Sequence, residues 1–360
     1  MIRILHAADL HLDSPFAAMP PEKARQRRAE QREVLVRLIR ECDARSCDLL
    51  LLAGDLFDSG EVYRDTTELL LRLLGQCRAR VFIAPGNHDF FSPASVYNTL
   101  PWPENVHIFR SETVEAVRLA QPAATVYGAA FTGPHASGLL RGFHAAQDGK
   151  PAIMVLHGEL SEQAGRYNTI HAADVENSGL SYLALGHIHE DSFRTVGKTA
   201  VGNPGCAMGR GFDELGEKGA FYLEIDVSDC RAEAVPLGAK QYRVLRVRVN
   251  GDAQAAVEAA LPDGTDDWIC RLILEGSCPA PDLRALHAAL DGRFDTLEIL
   301  DRTLPPAELW EGEGDDSLRG AFLRSLHAQF DAASGEAQQI VALAARIGRD
   351  LMDGREVQAE

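Results

Sequence analysis

Five times within its first 190 residues the chain repeats one arrangement, a short apolar run that breaks directly into a cluster of Asp, Asn, His and Gly. The runs are Ile2–Ala7, Leu49–Ala53, Val81–Ala84, Ala152–Leu156 and Tyr182–Leu185. The clusters are Asp9-Leu10-His11, Gly54-Asp55-Leu56-Phe57-Asp58, Gly86-Asn87-His88-Asp89, His157-Gly158-Glu159 and Gly186-His187-Ile188-His189. Short runs without polar alternation predict strands buried on both faces, with helices covering them. A helix from about Pro21 to Arg45 and a Leu-rich one over Arg64–Cys77 fall between the first three runs. Open α/β sheets carry their sites at the carboxyl ends of strands, where all five clusters stand.

Further strand candidates follow at Thr125–Ala130, Lys198–Val201, Ala220–Val227 and Ala232–Pro236. No helices are expected between the later ones, so the fold should end in antiparallel strands of a two-layer, sandwich-like α/β core. The 360 residues, 46% hydrophobic and 25% charged, have ordinary globular composition and suit two or three domains. A second unit begins near Lys240, where strand Tyr242–Val249, helix Ala253–Leu261, strand Trp268–Leu274, helix Pro281–Leu290 and strand Thr296–Leu300 make a βαβαβ layout. After Pro305-Pro306 and the acidic stretch Glu311–Asp316 come two helices, parted by Gly335. Their apolar stripes are Leu318, Phe322, Leu326 and Phe330, then Ile340, Leu343, Ala344, Ile347 and Leu351. The pair is either a hairpin packed on its own domain or a detached element offering apolar faces to a partner. The expected divisions are 1–239, 240–304 and 305–360.

The start of the chain lacks a long apolar stretch, and the longest apolar run, Leu49–Ala53, is too short to cross a bilayer. Seven cysteines without a CxxC pair read as buried thiols of a reducing compartment, so a soluble, cytoplasmic protein without a membrane partner is expected. A net charge of −17 argues against gripping a phosphate backbone by bulk charge. The acidity is uneven, however. Residues 1–240 hold 24 basic and 31 acidic side chains, the remainder 12 and 22, and eight of the basic residues lie in Lys23–Arg45 beside the first cluster.

In extended chain, residues i and i+2 point the same way, so Asp9 with His11, and His187 with His189, can each aim two donors at one spot. The glycines before Asp55, Asn87 and His187 let the backbone turn sharply towards a crowded centre. Two carboxylates, an amide oxygen and four imidazoles suit first-row ions such as Mn²⁺, Fe²⁺ or Zn²⁺ better than Ca²⁺. Seven donors are too many for one tetrahedral ion but suit two ions sharing a carboxylate, the arrangement that serves phosphoryl displacement.

The five clusters in this order resemble those of the calcineurin-like metallophosphoesterases. Leu5–Phe16, Ser181–His189 and Gly202-Asn203-Pro204-Gly205 followed by Arg210, Phe212, Glu214 and Lys218-Gly219 resemble more narrowly the DNA-repair exonuclease branch, the SbcD/YhaO-like nuclease subunits. The resemblance covers residues 1–227; beyond Lys240 only the layout is similar, to that branch's capping domain and ATPase-docking helices. It implies a two-sheet sandwich flanked by helices, with two divalent ions, Mn²⁺ first and Fe²⁺, Zn²⁺ or Mg²⁺ as alternatives. Asp9, His11, Asp55 and His189 would hold one ion, and Asp55, Asn87, His157 and His187 the other, with Asp55 bridging. His88 would not be a ligand but would protonate the leaving oxygen or stabilise the transition state, the Asp58 carboxylate would orient His88, and metal-activated hydroxide would attack. Asp13, Asn203 and Arg210 stand as substrate contacts, Asp13 equally as a turn residue. Asp89 is expected to cap a turn and His6 to be structural. The implied activity is a DNA nuclease, 3′-to-5′ exonuclease with endonuclease activity, acting in break repair with DNA and an SbcC- or YhaN-like coiled-coil ATPase as partners; a homodimer stays open. The alternatives are a diesterase acting on a small nucleotide and a non-catalytic scaffold regulating an ATPase.

Overall fold

The computed structural model describes all residues except 164, 228, 239, 279–280, 305–306 and 355–360. Residue 239 and Pro305-Pro306, read from sequence as a domain end and a linker start, therefore lie outside the described residues. The chain divides into two compact units, Met1–Gln241 and Tyr242–Glu360.

The strands of the first unit are β1 (Ile2–Ala7), β2 (Leu49–Leu52), β3 (Arg80–Ile83), β4 (Val106–Ile108), β5 (Glu115–Leu119), β6 (Ala124–Gly128), β7 (Ala152–His157), the two-residue β8 (Glu159–Leu160) and β9 (Thr169–Ile170), β10 (Tyr182–Gly186), β11 (Ser192–Val196), β12 (Thr199–Asn203), β13 (Gly219–Ile225) and β14 (Cys230–Pro236). Its helices are α1 (Pro21–Ala44), α2 (Arg64–Gln76), the single turn α3 (Val96–Thr99) and α4 (Ala172–Ser178). Two six-stranded sheets form, in the orders β14-β13-β1-β2-β3-β4 and β11-β12-β10-β7-β6-β5. β1 to β4 run parallel, as do β6, β7, β10 and β12, while β13, β14, β5 and β11 add antiparallel edges.

The apolar runs fail to alternate because each sheet is covered twice. Ile2, Ile4, Leu49, Leu51 and Phe82 meet Val126, Ile153, Val155 and Tyr182 in the layer between the sheets. The opposite side chains of the first sheet, Leu5, Leu50, Leu52, Val81 and Ile83, pack on Leu35 and Leu38 of α1 and Leu70 and Leu74 of α2. Met154, Leu156, Leu183 and Leu185 are covered by Leu139, Leu140 and Val175. Each fully buried leucine contributes on the order of 2 kcal/mol, an upper figure. Two expectations differ from this. α4 intervenes before β10, and the edge strands β5 and β11 carry mostly exposed side chains that give no apolar signal.

The second unit holds β15 (Gln241–Asn250), α5 (Ala253–Ala260), β16 (Trp268–Ser277), α6 (Leu283–Ala289), β17 (Thr296–Leu304), α7 (Leu318–Ala332) and α8 (Glu336–Met352). Its three strands form one sheet in chain order, with β16 and β17 parallel. Asp252, Asp282 and Ser317 cap α5, α6 and α7 by accepting from backbone N–H groups. Val247, Val249, Leu272 and Leu274 pack on Val257 and Leu286 of the helices. α7 and α8 share a small core of Leu309, Trp310, Leu323 and Ala345, bordered by Phe322, Leu326 and Phe330. Leu318, Ile340, Leu343 and Leu351 stay exposed, Leu318 at 82%. The pair thus closes on itself along part of its stripes and leaves the rest open. Among the described residues no helix is long and apolar enough to cross a membrane, and all seven cysteines are free thiols.

Candidate dinuclear metal centre

Five strands of the two sheets end at one place. β1 delivers Asp9 and His11, β2 Asp55 and Asp58, β3 Asn87 and His88, β7 His157, and β10 His187 and His189. Register aligns the strand ends, since Ala7 pairs with Leu52, Leu52 with Ile83, and His157 with Gly186. Asp9 N donates to Gly54 O, His11 N to Asp55 O and Asp58 N to Leu12 O, which ties the first two clusters together. The turns are strained. Asp9, His11, Asp55 and His187 have φ of 50°, 44°, 48° and 99°, a left-handed conformation costing non-glycine residues about 1–2 kcal/mol each. Such strain at four candidate ligands is a mark of a functional site. The glycines serve crowding. A Cβ on Gly54, itself at φ 87°, would collide with the His157 ring, and one on Gly86 with the Asp55 carboxylate.

Two sets of donors converge. Asp9, His11 and His189 form one, and Asp9, Asp55 and His157 the other. His11 Nε2 and His189 Nε2 face each other at 3.2 Å. His157 Nε2 lies 3.0 Å from Asn87 Oδ1 and 3.4 Å from Asp55 Oδ2, which is also 3.8 Å from His11 Nε2. The His187 ring stacks edgewise on His157 at 5.1 Å. Donors sharing one ion at about 2.1 Å are roughly 3.0–3.4 Å apart for octahedral or tetrahedral angles, which the His11–His189, His157–Asn87 and His157–Asp55 separations match, while Asp55 to His11 at 3.8 Å is wider. Asp9 is common to both sets, and Asp55 Oδ2 reaches from the second set to within 3.8 Å of His11 in the first.

The protonation pattern fits as well. His157 Nδ1 donates to Ala53 O at 2.9 Å and His189 Nδ1 to Glu214 Oε1 at 2.7 Å, leaving both Nε2 lone pairs aimed at the cluster. Burial lowers His187 and His11 to about 4, the neutral form a metal requires. Burial pushes the Asp9 carboxyl up to about 7, although His157 opposes the rise. Burial opposes ionisation of Asp55 too, but the neighbouring His157 outweighs it and holds this carboxyl below its usual range. Burial likewise works against His157, yet Asp55 raises it to about 9, so without a cation Nε2 carries a proton beside Asp55 that a bound metal would displace. Asp9 Oδ1, buried beside two imidazoles, accepts no hydrogen bond. A buried carboxylate oxygen without a donor is costly, and a cation resolves it.

His88 belongs to neither of these two sets, although one of its ring nitrogens lies within 4.8 Å of donor atoms on His11 and Asp58. Its ring is exposed, and Nδ1 donates to the backbone carbonyl of Asp58 at 2.9 Å, freeing Nε2. The expectation that the Asp58 carboxylate orients His88 is corrected here. That carboxylate accepts from Arg210 Nη1 at 2.8 Å and Ser14 Oγ at 3.1 Å, and lies 3.1 Å from His11 Nδ1. It supports His11, while the main chain of the same residue holds His88. Two substrate contacts are corrected also. Asp13 is buried and accepts from Tyr63 N at 2.8 Å and Thr66 Oγ1 at 2.7 Å, bracing the start of α2. Asn203 is buried and donates Nδ2 to Ile188 O at 2.7 Å, bracing the turn that carries His187 and His189. Arg210 does reach the centre, its side chain 22% exposed between Asp58 and Glu214.

Asp89 accepts from Gly86 N and Phe57 N, joining the second and third clusters rather than touching the His88 ring. His6 is buried between the sheets with Nδ1 2.7 Å from the Tyr182 hydroxyl. Three residues support the site in roles the sequence did not assign. Glu214 accepts from His189, Gln31 Nε2 donates to His11 O at 2.6 Å, and Asn168 Nδ2 donates to His157 O at 2.8 Å. Only Glu214 left a signal, four residues after Arg210 in a charged loop. The basic run of α1 is mostly engaged internally, with Arg27 on Gly209 O, Arg37 on Leu237 O and Arg45 on Glu233.

The pattern of the calcineurin-like phosphoesterase family matches residues 2–191. The protein named uncharacterized metallophosphoesterase YhaO of Bacillus subtilis (strain 168) is 31% identical over 326 residues, covering 82% of this chain and 77% of that one. The SbcD component of the nuclease SbcCD from the same bacterium is 28% identical over 127 residues, covering 34% of this chain and 31% of that one. A dimetal phosphatase of Danio rerio overlays on 64% of this chain and 98% of its own with a TM-score of 0.41 at 11% identity, a likeness too slight to bear on function.

Proposed function

The chain belongs to the calcineurin-like phosphoesterases and is a phosphoester hydrolase, and from that premise we propose that it is a metal-dependent DNA nuclease, a 3′-to-5′ exonuclease with endonuclease activity. Two divalent cations, manganese fitting this mixed nitrogen and oxygen set, supply charge at the phosphoryl oxygens and a route to deprotonating water near neutral pH. Asp9, His11, Asp55 and His189 hold one cation and Asp55, Asn87, His157 and His187 the other. His88, its Nδ1 proton kept by the Asp58 carbonyl, carries a second proton on Nε2 and passes it to the leaving oxygen as the P–O bond breaks. Glu214 and Asp58 orient His189 and His11. Arg210, partly exposed beside both, is placed to meet a phosphate oxygen.

The observation that carries the reading is the division of the cluster into a buried floor and an open rim. Asp9, His11, Asp55 and His157 are buried, Asn87, His187 and His189 half-buried, and His88 exposed. A diester within a long polymer can meet such a rim without entering an enclosing pocket, which small-molecule sites favour. The likeness to the SbcD nuclease component of Bacillus subtilis adds support, as does a second unit that hydrolysis of a small diester does not require. The exposed Leu318, Ile340, Leu343 and Leu351 of α7 and α8 suit docking of an SbcC- or YhaN-like coiled-coil ATPase. Removing residues 316–360 is expected to abolish capture of that ATPase and to spare Mn²⁺-dependent cleavage of a simple diester; undiminished capture refutes the docking role. End-labelled duplex, single strand and a chromogenic diester, offered side by side with Mn²⁺, test the activity. Cleavage of the chromogenic diester alone transfers the assignment to a small nucleotide substrate.

A further inference from the structure

We propose that Tyr63 is a base-stacking platform that positions the nucleic-acid chain beside the metal cluster, a role that rests on the nuclease function proposed for the chain. Tyr63 is the residue before α2 and is 54% exposed. Its hydroxyl makes no hydrogen bond among the described residues, so no polar contact accounts for its position. A single exposed aromatic is unremarkable by itself. Three features set this one apart.

The first is location. Asp58 N donates to Leu12 O, and Tyr63 N donates to Asp13 Oδ2 at 2.8 Å, so both ends of the 58–63 loop are fastened at adjacent residues. Asp58 is also the residue whose carbonyl holds His88. Tyr63 is therefore tied, through Asp13 and the 58–63 loop, to the segment that carries His11 and the carbonyl that holds His88. The second is rigidity. Tyr63 O accepts from Thr66 N and Thr67 N at 3.1 Å, and Thr66 Oγ1 donates to the same Asp13 carboxylate. The backbone is thus pinned on both sides of the ring. The third is the backing. The Arg28 guanidinium lies 5.4 Å from the ring centroid and donates to Pro15 O at 3.3 Å, which anchors it in turn. The ring thus keeps a cation near one face while more than half of the residue stays open to solvent. A flat, pinned π-face backed by a guanidinium is what a nucleobase stacks on, whatever its identity. It also supplies grip that does not depend on positive charge, which suits a chain of net charge −17.

The test uses the full-length protein with Mn²⁺ and two single-stranded oligomers of equal length, one with normal bases and one abasic throughout. Tyr63→Ala is expected to raise KM for the base-bearing oligomer about 5- to 100-fold with kcat nearly unchanged, and to leave KM for the abasic oligomer as in the wild type. Tyr63→Phe should behave as the wild type, and Tyr63→Leu, which keeps an apolar side chain, as Tyr63→Ala. An unchanged KM in Tyr63→Ala, or equal losses on both oligomers, overturns the platform while the nuclease function stands. A wild type that cleaves a chromogenic diester but neither oligomer nor an end-labelled duplex overturns the nuclease function and the platform together; one that cleaves the duplex but neither oligomer overturns the platform alone.

Discussion

Glu214→Gln separates a residue that tunes the metal centre from one that merely packs near it. Glu214 is buried, and both its oxygens are surrounded by donors. Oε1 accepts from His189 Nδ1 at 2.7 Å and Arg210 Nη2 at 3.0 Å, and Oε2 from Arg210 N at 2.7 Å. Burial opposes its ionisation, but His189 and Arg210 hold the carboxyl well below the usual range, so it is an anion at neutral pH. Glutamine keeps the shape and must turn its NH₂ towards one of these donors. Turned towards His189, it demands the tautomer with the proton on Nε2, which cannot ligate a cation. Turned towards Arg210, it leaves a buried N–H without an acceptor, at about 1–3 kcal/mol. The second arrangement preserves the centre but replaces a charge-assisted bond to His189 by a neutral one of about half the strength. Loss of such a supporting carboxylate costs about 10- to 100-fold in metal affinity, or about 1.4–2.7 kcal/mol. The assay is cleavage of a chromogenic diester as Mn²⁺ is titrated. Half-saturation should move up by that factor while the rate at saturating Mn²⁺ stays near the wild-type value. A folded Glu214→Gln with wild-type Mn²⁺ half-saturation would refute the tautomer argument.

His88→Ala should lose roughly two to four decades of kcat and retain both ions by calorimetric titration, since His88 belongs to neither donor set; loss of an ion would make it a ligand. His6 gives a pH dependence of stability. Burial lowers it from the usual 6.5 to about 3, so the unfolded chain takes up a proton below pH 6.5 that the folded chain refuses until about pH 3. Stability must then fall as the pH drops through that window, by on the order of 5 kcal/mol in all. His6→Asn should flatten the fall in melting temperature over this range, and an unchanged slope would assign acid sensitivity elsewhere.

Much of the fold was legible because Leu49–Leu52 and its counterparts have no polar side chain on either face. Only a sheet covered twice accepts such strands. What stayed hidden depended on partners far along the chain. Asp13, two residues from His11, looked placed for substrate, yet it is occupied by Tyr63 and Thr66, about fifty residues away. Asn203 likewise answers to carbonyls of the 186–191 turn. The Asp58 side chain turned to Arg210, 152 positions away, which no local spacing announces. The basic run of α1 offset the net acidity beside the first cluster, but Arg27, Arg28, Arg32, Arg37 and Arg45 hydrogen-bond to loops and side chains of their own unit.

Residue type and spacing alone determined that donors suited to two cations would gather at strand ends, because a strand fixes side-chain direction and glycine permits the turn that follows. The tertiary structure decided which polar groups face the cations and which only hold others in place. Hydrogen-bond directions and proton positions follow from whichever partner arrives through space. For His189 that partner is Glu214, for His88 it is a main-chain carbonyl, and neither choice is written in the local sequence.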